Sequence, residues 1–151
     1  MLINSGGIYE LKAVRGLHSN HSNQLINYLL LSALHHGKLI NFRPASVEYR
    51  FVSTQLTPEL RHQFSLDKTE WMVNHESSGF ITAIVSDLLN DWGAFLDIEL
   101  YREAIHHFLP PGSIHSVEIC SEGRVVGHQN ICLLSPNTGI HMSAIKEGLA
   151  T

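Results

Sequence analysis

The chain has 151 residues, enough for one domain with a proper core or two very small ones. Apolar residues make up 44% and the mean hydropathy is +0.01, which reads as soluble and globular, and no stretch approaches the roughly 18 apolar residues of a membrane span. A formal net charge of −4 with ten Lys+Arg excludes a protein that holds nucleic acid by bulk positive charge. Cys120 and Cys132 make no disulfide framework. Both read as small apolar strand residues in a reducing compartment. No basic region followed by an apolar one opens the chain, so the expected location is the cytoplasm.

In chain order, residues 2–4 read as the end of a hairpin partner, Gly6-Gly7 as a turn and residues 8–14 as a strand. Arg15 to Ser22 is a polar loop with His18 and His21. Leu25, Ile26, Leu29, Leu30, Ala33 and Leu34 follow three- and four-residue spacing, which predicts a helix from about Asn23 to His36. Ser22 or Asn23 would cap it, and Gly37 would close it. Leu39 to Phe42 is a short apolar strand, and Val47 to Val52 alternates as an exposed or edge strand. A composition change near Thr54 to Pro58 sets a boundary between residues 1–54 and 55–151, and Thr57-Pro58-Glu59 is a helix start. Residues 64–74 are ambiguous. Helices follow from Ser77 or Ser78 to Trp92 and from Ile98 to Leu109. Strands are predicted at 114–120, 124–127, 129–134 and 139–145, with turns at Glu122-Gly123 and Asn137 to Gly139.

Chemistry concentrates in Ile8-Tyr9-Glu10-Leu11-Lys12-Ala13-Val14. Alternate residues of a strand share a face, so Glu10 and Lys12 point one way while Tyr9, Leu11 and Ala13 point the other. A carboxylate that holds a divalent cation and a lysine that steers an attacking water need this arrangement. An ion pair on a surface strand is the plain alternative, because three-residue E-x-K matches are common. Gln24 and Tyr28, four apart, share one face of the helix that follows. Otherwise Gln24 is a helix-start residue and Tyr28 packs in the core.

Read together, the segment from Ile8 to Val14, then Gln24-Leu25-Ile26-Asn27-Tyr28-Leu29, then Gly37-Lys38-Leu39-Ile40-Asn41-Phe42 resembles the second half of the bacterial GxxExxY family of the PD-(D/E)XK nuclease superfamily. The resemblance covers residues 2–52. It implies phosphodiester hydrolysis in DNA or RNA with Mg²⁺ or Mn²⁺. Glu10 and the Leu11 backbone carbonyl would ligate the metal, Lys12 would orient the water, and Gln24 and Tyr28 would hold the phosphate or support the site. The family's essential aspartate lies some nine or ten residues before the E-x-K glutamate, a place that here falls at or before Met1. No Asp precedes Asp67. A single carboxylate leaves too little charge for a tight Mg²⁺ site.

A weaker echo of the same family runs through Phe95 to Ala104, which resembles its GxxExxY helix, and on through Glu118 to Ile145. The aspartate position there falls near Cys132 and the E-x-K position near Ser143 to Lys146. It is either a decayed repeat of the first half or a coincidence between two helix-plus-meander segments. The expected fold is therefore α/β: an incomplete restriction-endonuclease-like core followed by an α+β segment, a degenerate repeat if the echo is real. The two parts would complete one sheet or pack as two incomplete layers. The resemblance implies a truncated or inactive nuclease. The competing reading is a non-catalytic binding or assembly module, its partners nucleic acid or protein rather than a membrane, with a homodimer covering open sheet edges.

Of eleven histidines, His35-His36 and His106-His107 are read as adjacent on helices, unable to share a face. His18-x-x-His21 is a loop pair that lacks a cysteine to support zinc. Asp87, Asp91 and Asp97 read as a solvated acidic face, and Trp71 and Trp92 as core.

Overall fold

A computed structural model describes residues 2–4, 6–72, 76–135 and 138–144. The described chain runs β1 (Leu2–Asn4), β2 (Gly7–Lys12), α1 (Ser19–Leu31), β3 (His36–Asn41), β4 (Glu48–Ser53), α2 (Pro58–Arg61), α3 (Glu76–Trp92), α4 (Ile98–Phe108), β5 (Ile114–Ser121), β6 (Arg124–Ser135) and β7 (Thr138–Ile140). It divides into two compact units, residues 1–66 with 89–97, and residues 67–88 with 98–151. The strands form two separate sheets, in orders β1-β2-β3-β4 and β5-β6-β7. A single sheet completed by both parts is therefore not formed among the described residues. No described helix is long and apolar enough to cross a membrane.

In the first unit, β1 pairs antiparallel with β2, β2 parallel with β3, and β3 antiparallel with β4. The parallel pair requires a crossover, which α1 supplies. Leu25 and Leu29 of α1 pack with Ile8, Leu17, Leu39 and Val52, and Val14, Ile26, Tyr28 and Leu34 close the margins. Ile8 on β2 and Leu39 on β3 are fully buried on the face that α1 covers.

Helix α1 departs from its sequence-predicted bounds at both ends. It starts four residues earlier, where the exposed polar turn from Ser19 to Ser22 has no apolar periodicity to reveal it. His18 is the N-cap residue, and its N–H donates to His21 Nδ1 at 3.0 Å. The two rings stack at 5.4 Å. The pair thus sits at the helix start rather than in a loop. The helix ends at Leu31 because Ala33 turns left-handed, with φ of 54°. Ala33 N–H donates to Leu30 O and Leu34 N–H to Leu29 O, the pairing of a Schellman motif. Gly37 is no cap: it is buried within β3, against Leu25. His36 likewise begins β3, so His35-His36 is not helical.

Helix α2 is capped by Thr57, whose hydroxyl accepts from Leu60 N–H. Arg61, buried, donates from Nη1 to Leu30 O at the end of α1 and from Nε to Ala94 O. Ala94 N–H returns a bond to Arg61 O at 2.8 Å. Gly93 follows the last residue of α3 with φ of +71°, and a Cβ there would lie 2.9 Å from Arg61 Cβ. The close approach accounts for that glycine.

In the second unit, Glu122 and Gly123 both have positive φ, 50° and 74°, as a two-residue hairpin turn requires. β6 is one continuous strand where two were predicted, and a register shift at Ile119/Cys120 lies on β5 instead. β7 is short. Ile81, Ile84, Leu88, Tyr101, Ile105, Leu109 and Cys132 are buried, and burial pushes the Cys132 thiol up from its ordinary pKa. Cys132 stands at the echo's aspartate position, paired with Ile114 and Ile140, and Lys146 lies outside the described residues. Trp71, expected in the core, is 46% exposed. Phe80 is also exposed, at the edge of the apolar face of α3.

Two opposite glycine exchanges test the ends of this crossover. Ala33→Gly is expected to stabilise by about 1 kcal/mol, because an L-residue in the left-handed region is strained. Gly37→Ala is expected to destabilise by about 1–3 kcal/mol, since its Cβ would lie 3.0 Å from Cδ2 of the fully buried Leu25. Urea unfolding followed by circular dichroism reads both.

Candidate active site

Register and alternation place Glu10 and Lys12 on the α1 face of β2, with Ile8, while Tyr9 and Leu11 are exposed on the other. Glu10 is 7% exposed. Its Oε1 lies 2.8 Å from Lys12 Nζ, and its Oε2 is buried without a hydrogen-bond partner. A buried carboxylate oxygen left so is costly.

Helix α1 brings the remaining pair over this spot. Lys12 Nζ donates to Gln24 Oε1 at 2.6 Å, and Gln24 Nε2 donates to Tyr28 Oη at 2.9 Å. An ammonium only donates, so it fixes which end of the Gln24 amide faces it. The amide nitrogen is then turned to Tyr28, whose oxygen accepts and whose own proton stays available to a further acceptor. Glu10, Lys12, Gln24 and Tyr28 form one chain of hydrogen bonds in which Lys12 donates in both directions, to Glu10 and to Gln24, and Gln24 passes the donation on to Tyr28. Its two bonds to Glu10 and Gln24 use two of the lysine's three donors.

The backbone completes the geometry. Phe42 N–H donates to Lys12 O at 3.0 Å, so the Lys12 carbonyl points toward β3. Carbonyls alternate along a strand, and the Leu11 carbonyl therefore points to the opposite edge. The described pairing with β1 reaches Tyr9. A carboxylate oxygen such as Glu10 Oε2 and a backbone carbonyl such as that of Leu11 are the donor types a small hard cation takes. A second carboxylate is missing. Among the described residues no three His, Cys, Asp or Glu side chains converge.

Two residues that sequence reasoning passed over hold the neighbourhood in place. Asn41, fully buried at the Lys12 level of β3, accepts from Val14 N–H at 3.0 Å and donates to Val14 O at 2.9 Å. Its amide stands in for a strand backbone after β2 has ended. Glu48, opposite Asn41 on β4, accepts from Asn41 Nδ2 and from Leu17 N–H. Glu48 is thus on the site face, yet its carboxylate is engaged by the loop between β2 and α1. Arg50 ties the same loop through Leu17 O and Ser22 Oγ. An asparagine ending an apolar strand, with a glutamate seven residues on, was the available signal.

Lys12→Met leaves the Glu10 charge buried and unpaired, and is expected to destabilise by about 3 kcal/mol. Adding Glu10→Gln should recover most of that loss. A double-mutant cycle in urea checks it, and full additivity of the two changes would contradict the pairing.

Three comparisons bear on the arrangement. No curated protein matches the chain, and no solved structure matches it. Residues 1–52, about a third of the chain, match the family model of the PD-(D/E)XK nuclease superfamily, and within that stretch lie Glu10, Lys12, Gln24 and Tyr28. The region that builds the first sheet and α1 is similar to a PD-(D/E)XK nuclease.

Proposed function

We propose that the first unit carries the second half of a nuclease site of the GxxExxY type, able to take a divalent cation but short of the charge for efficient hydrolysis. The observation that carries this is Glu10 Oε2, buried and unpartnered beside a lysine that Gln24 and Tyr28 hold in place. Glu10 and the Leu11 carbonyl would hold Mg²⁺ or Mn²⁺. When bound, the ion would supply Lewis-acid stabilisation of a phosphodiester oxygen. Lys12 would orient the attacking water with its remaining donor and neutralise charge on the phosphate. Tyr28 would offer its free proton to a phosphate oxygen. Gln24 acts through both, as a positioning residue.

The second reading, a non-catalytic module that binds nucleic acid or protein, rests on one observation. The other carboxylate on this face of the strands, Glu48, is already bonded to Asn41 and Leu17. With one carboxylate, cation affinity falls well below that of two-acid sites.

Mn²⁺ titration followed by electron paramagnetic resonance, beside a cleavage assay on DNA and RNA, tests the proposal. Weak Mn²⁺ binding that Glu10→Gln removes is expected, with hydrolysis at the assay floor. Absence of any Mn²⁺ binding would defeat the half-site reading. Robust Mn²⁺-dependent cleavage abolished in Lys12→Ala would overturn the claim that one carboxylate is too few.

A further inference from the structure

The sheet face opposite α1 carries a second set of side chains, independent of Glu10 and Lys12. Period-two alternation places Gly7, Tyr9 and Leu11 of β2, Lys38 and Ile40 of β3, and Tyr49 and Phe51 of β4 on it. The register arranges them in two cross-strand rows. Tyr9 lies opposite Lys38, and Lys38 opposite Phe51; Leu11 lies opposite Ile40, and Ile40 opposite Tyr49. The three aromatics are 42%, 60% and 72% exposed for Tyr9, Tyr49 and Phe51. In this mixed sheet the face is apolar yet exposed, and an exposed apolar patch of this kind marks a binding surface.

The face also has a charge without a match. Lys38 Nζ sits 4.4 Å from the Tyr49 ring centroid and 4.9 Å from that of Phe51, within cation–π range. Tyr49 and Phe51 meet edge to face at 6.0 Å. Among the described residues no carboxylate pairs with Lys38. The acids of these strands, Glu10 and Glu48, both lie on the α1 face, where they bond Lys12 and Asn41. Beside the first row is a cavity of about 310 Å³ lined by Gly7, Tyr9, His36, Lys38 and Phe51, near the lower end for small-ligand pockets. Gly7 keeps it open, since a Cβ there would lie 2.9 Å from His36 O.

We propose that this face binds a single strand of nucleic acid, with bases stacked on Tyr9, Tyr49 and Phe51 and one phosphate meeting Lys38. The ligand must offer flat π faces and a negative charge together, which a single strand repeats at every nucleotide. An aliphatic partner would strip water from Lys38 and return no anion. A second copy on the same face would bring a second lysine and no acid from β2, β3 or β4 to meet either. The chain's net charge of −4 makes stacking, with one cation, the source of affinity.

The test uses the full chain in excess chelator, so that no cation site contributes and the outcome is separate from the Mn²⁺ titration. Fluorescein-labelled oligothymidylate and oligouridylate of about ten nucleotides, within the span of single-domain binders, are titrated by anisotropy against a duplex of equal length. Binding of one or both single strands over the duplex is expected, and their ratio assigns DNA or RNA. Tyr9→Ser, Tyr49→Ser and Phe51→Ser should each weaken it about ten-fold, the loss of one stacked base. The logarithmic salt slope should be about −0.7, that of one phosphate on a single strand, and should vanish in Lys38→Gln. The substituted side chains are exposed, and unchanged circular dichroism confirms folding. Equal affinity for duplex, affinity indifferent to the three serine variants, no binding by either strand, or self-association abolished by Phe51→Ser in place of oligonucleotide binding would each overturn the proposal.

Discussion

Two parallel strands cannot be joined by a tight turn, and much of the first unit follows from that constraint. The chain leaves β2 at Lys12, crosses through α1 and returns as β3 beside the strand it left. The crossover helix must lie on one sheet face, and Leu25 meeting Gly37 at the close-contact limit fixes how near it comes. At that separation the polar first half of α1, carrying Gln24, sits over Lys12, and the second half, carrying Leu29, fills the core. The site and the core are two ends of one helix–sheet interface.

The interface buries an anion, and the rest of the site answers that cost. Glu10 is out of water with one oxygen paired and one not. A single lysine compensates only part of a desolvated charge. The surrounding polar groups are otherwise satisfied: Asn41 and Glu48 close the loop between β2 and α1, and Gln24 and Tyr28 complete the lysine's contacts. Among these residues the unanswered oxygen is Glu10 Oε2.

The two faces of the sheet divide the chemistry. On the α1 face, charges are buried and paired along a fixed chain. On the other, aromatic rings are exposed and a lysine rests on them with no carboxylate partner among the described residues. Both faces are built by the same residues of β2, β3 and β4, read alternately. Tyr9, Leu11 and Lys38 are therefore as firmly placed as Glu10, Lys12 and Leu39, because a one-residue slip in register would exchange the two sets.

Much of this was legible in the residues alone. Alternation put Glu10 and Lys12 on one face, helical spacing put Gln24 beside Tyr28, and Thr57-Pro58 and Glu122-Gly123 announced a helix start and a hairpin turn that the structure contains. Each is a local property, set within four residues of chain. The misplaced features are those that tertiary contacts decide. Ala33 takes the left-handed turn that a glycine would ordinarily mark, and Gly37 is a glycine because Leu25 presses on it. The first turn of α1 is polar and has no periodicity to show. The sequence by itself determined which residue types share a face and which pairs can meet along a helix. Only the tertiary structure decided which face α1 covers, that Glu48 serves the loop, and that one oxygen of Glu10 is left without a partner, because each depends on register between strands separated by a whole helix.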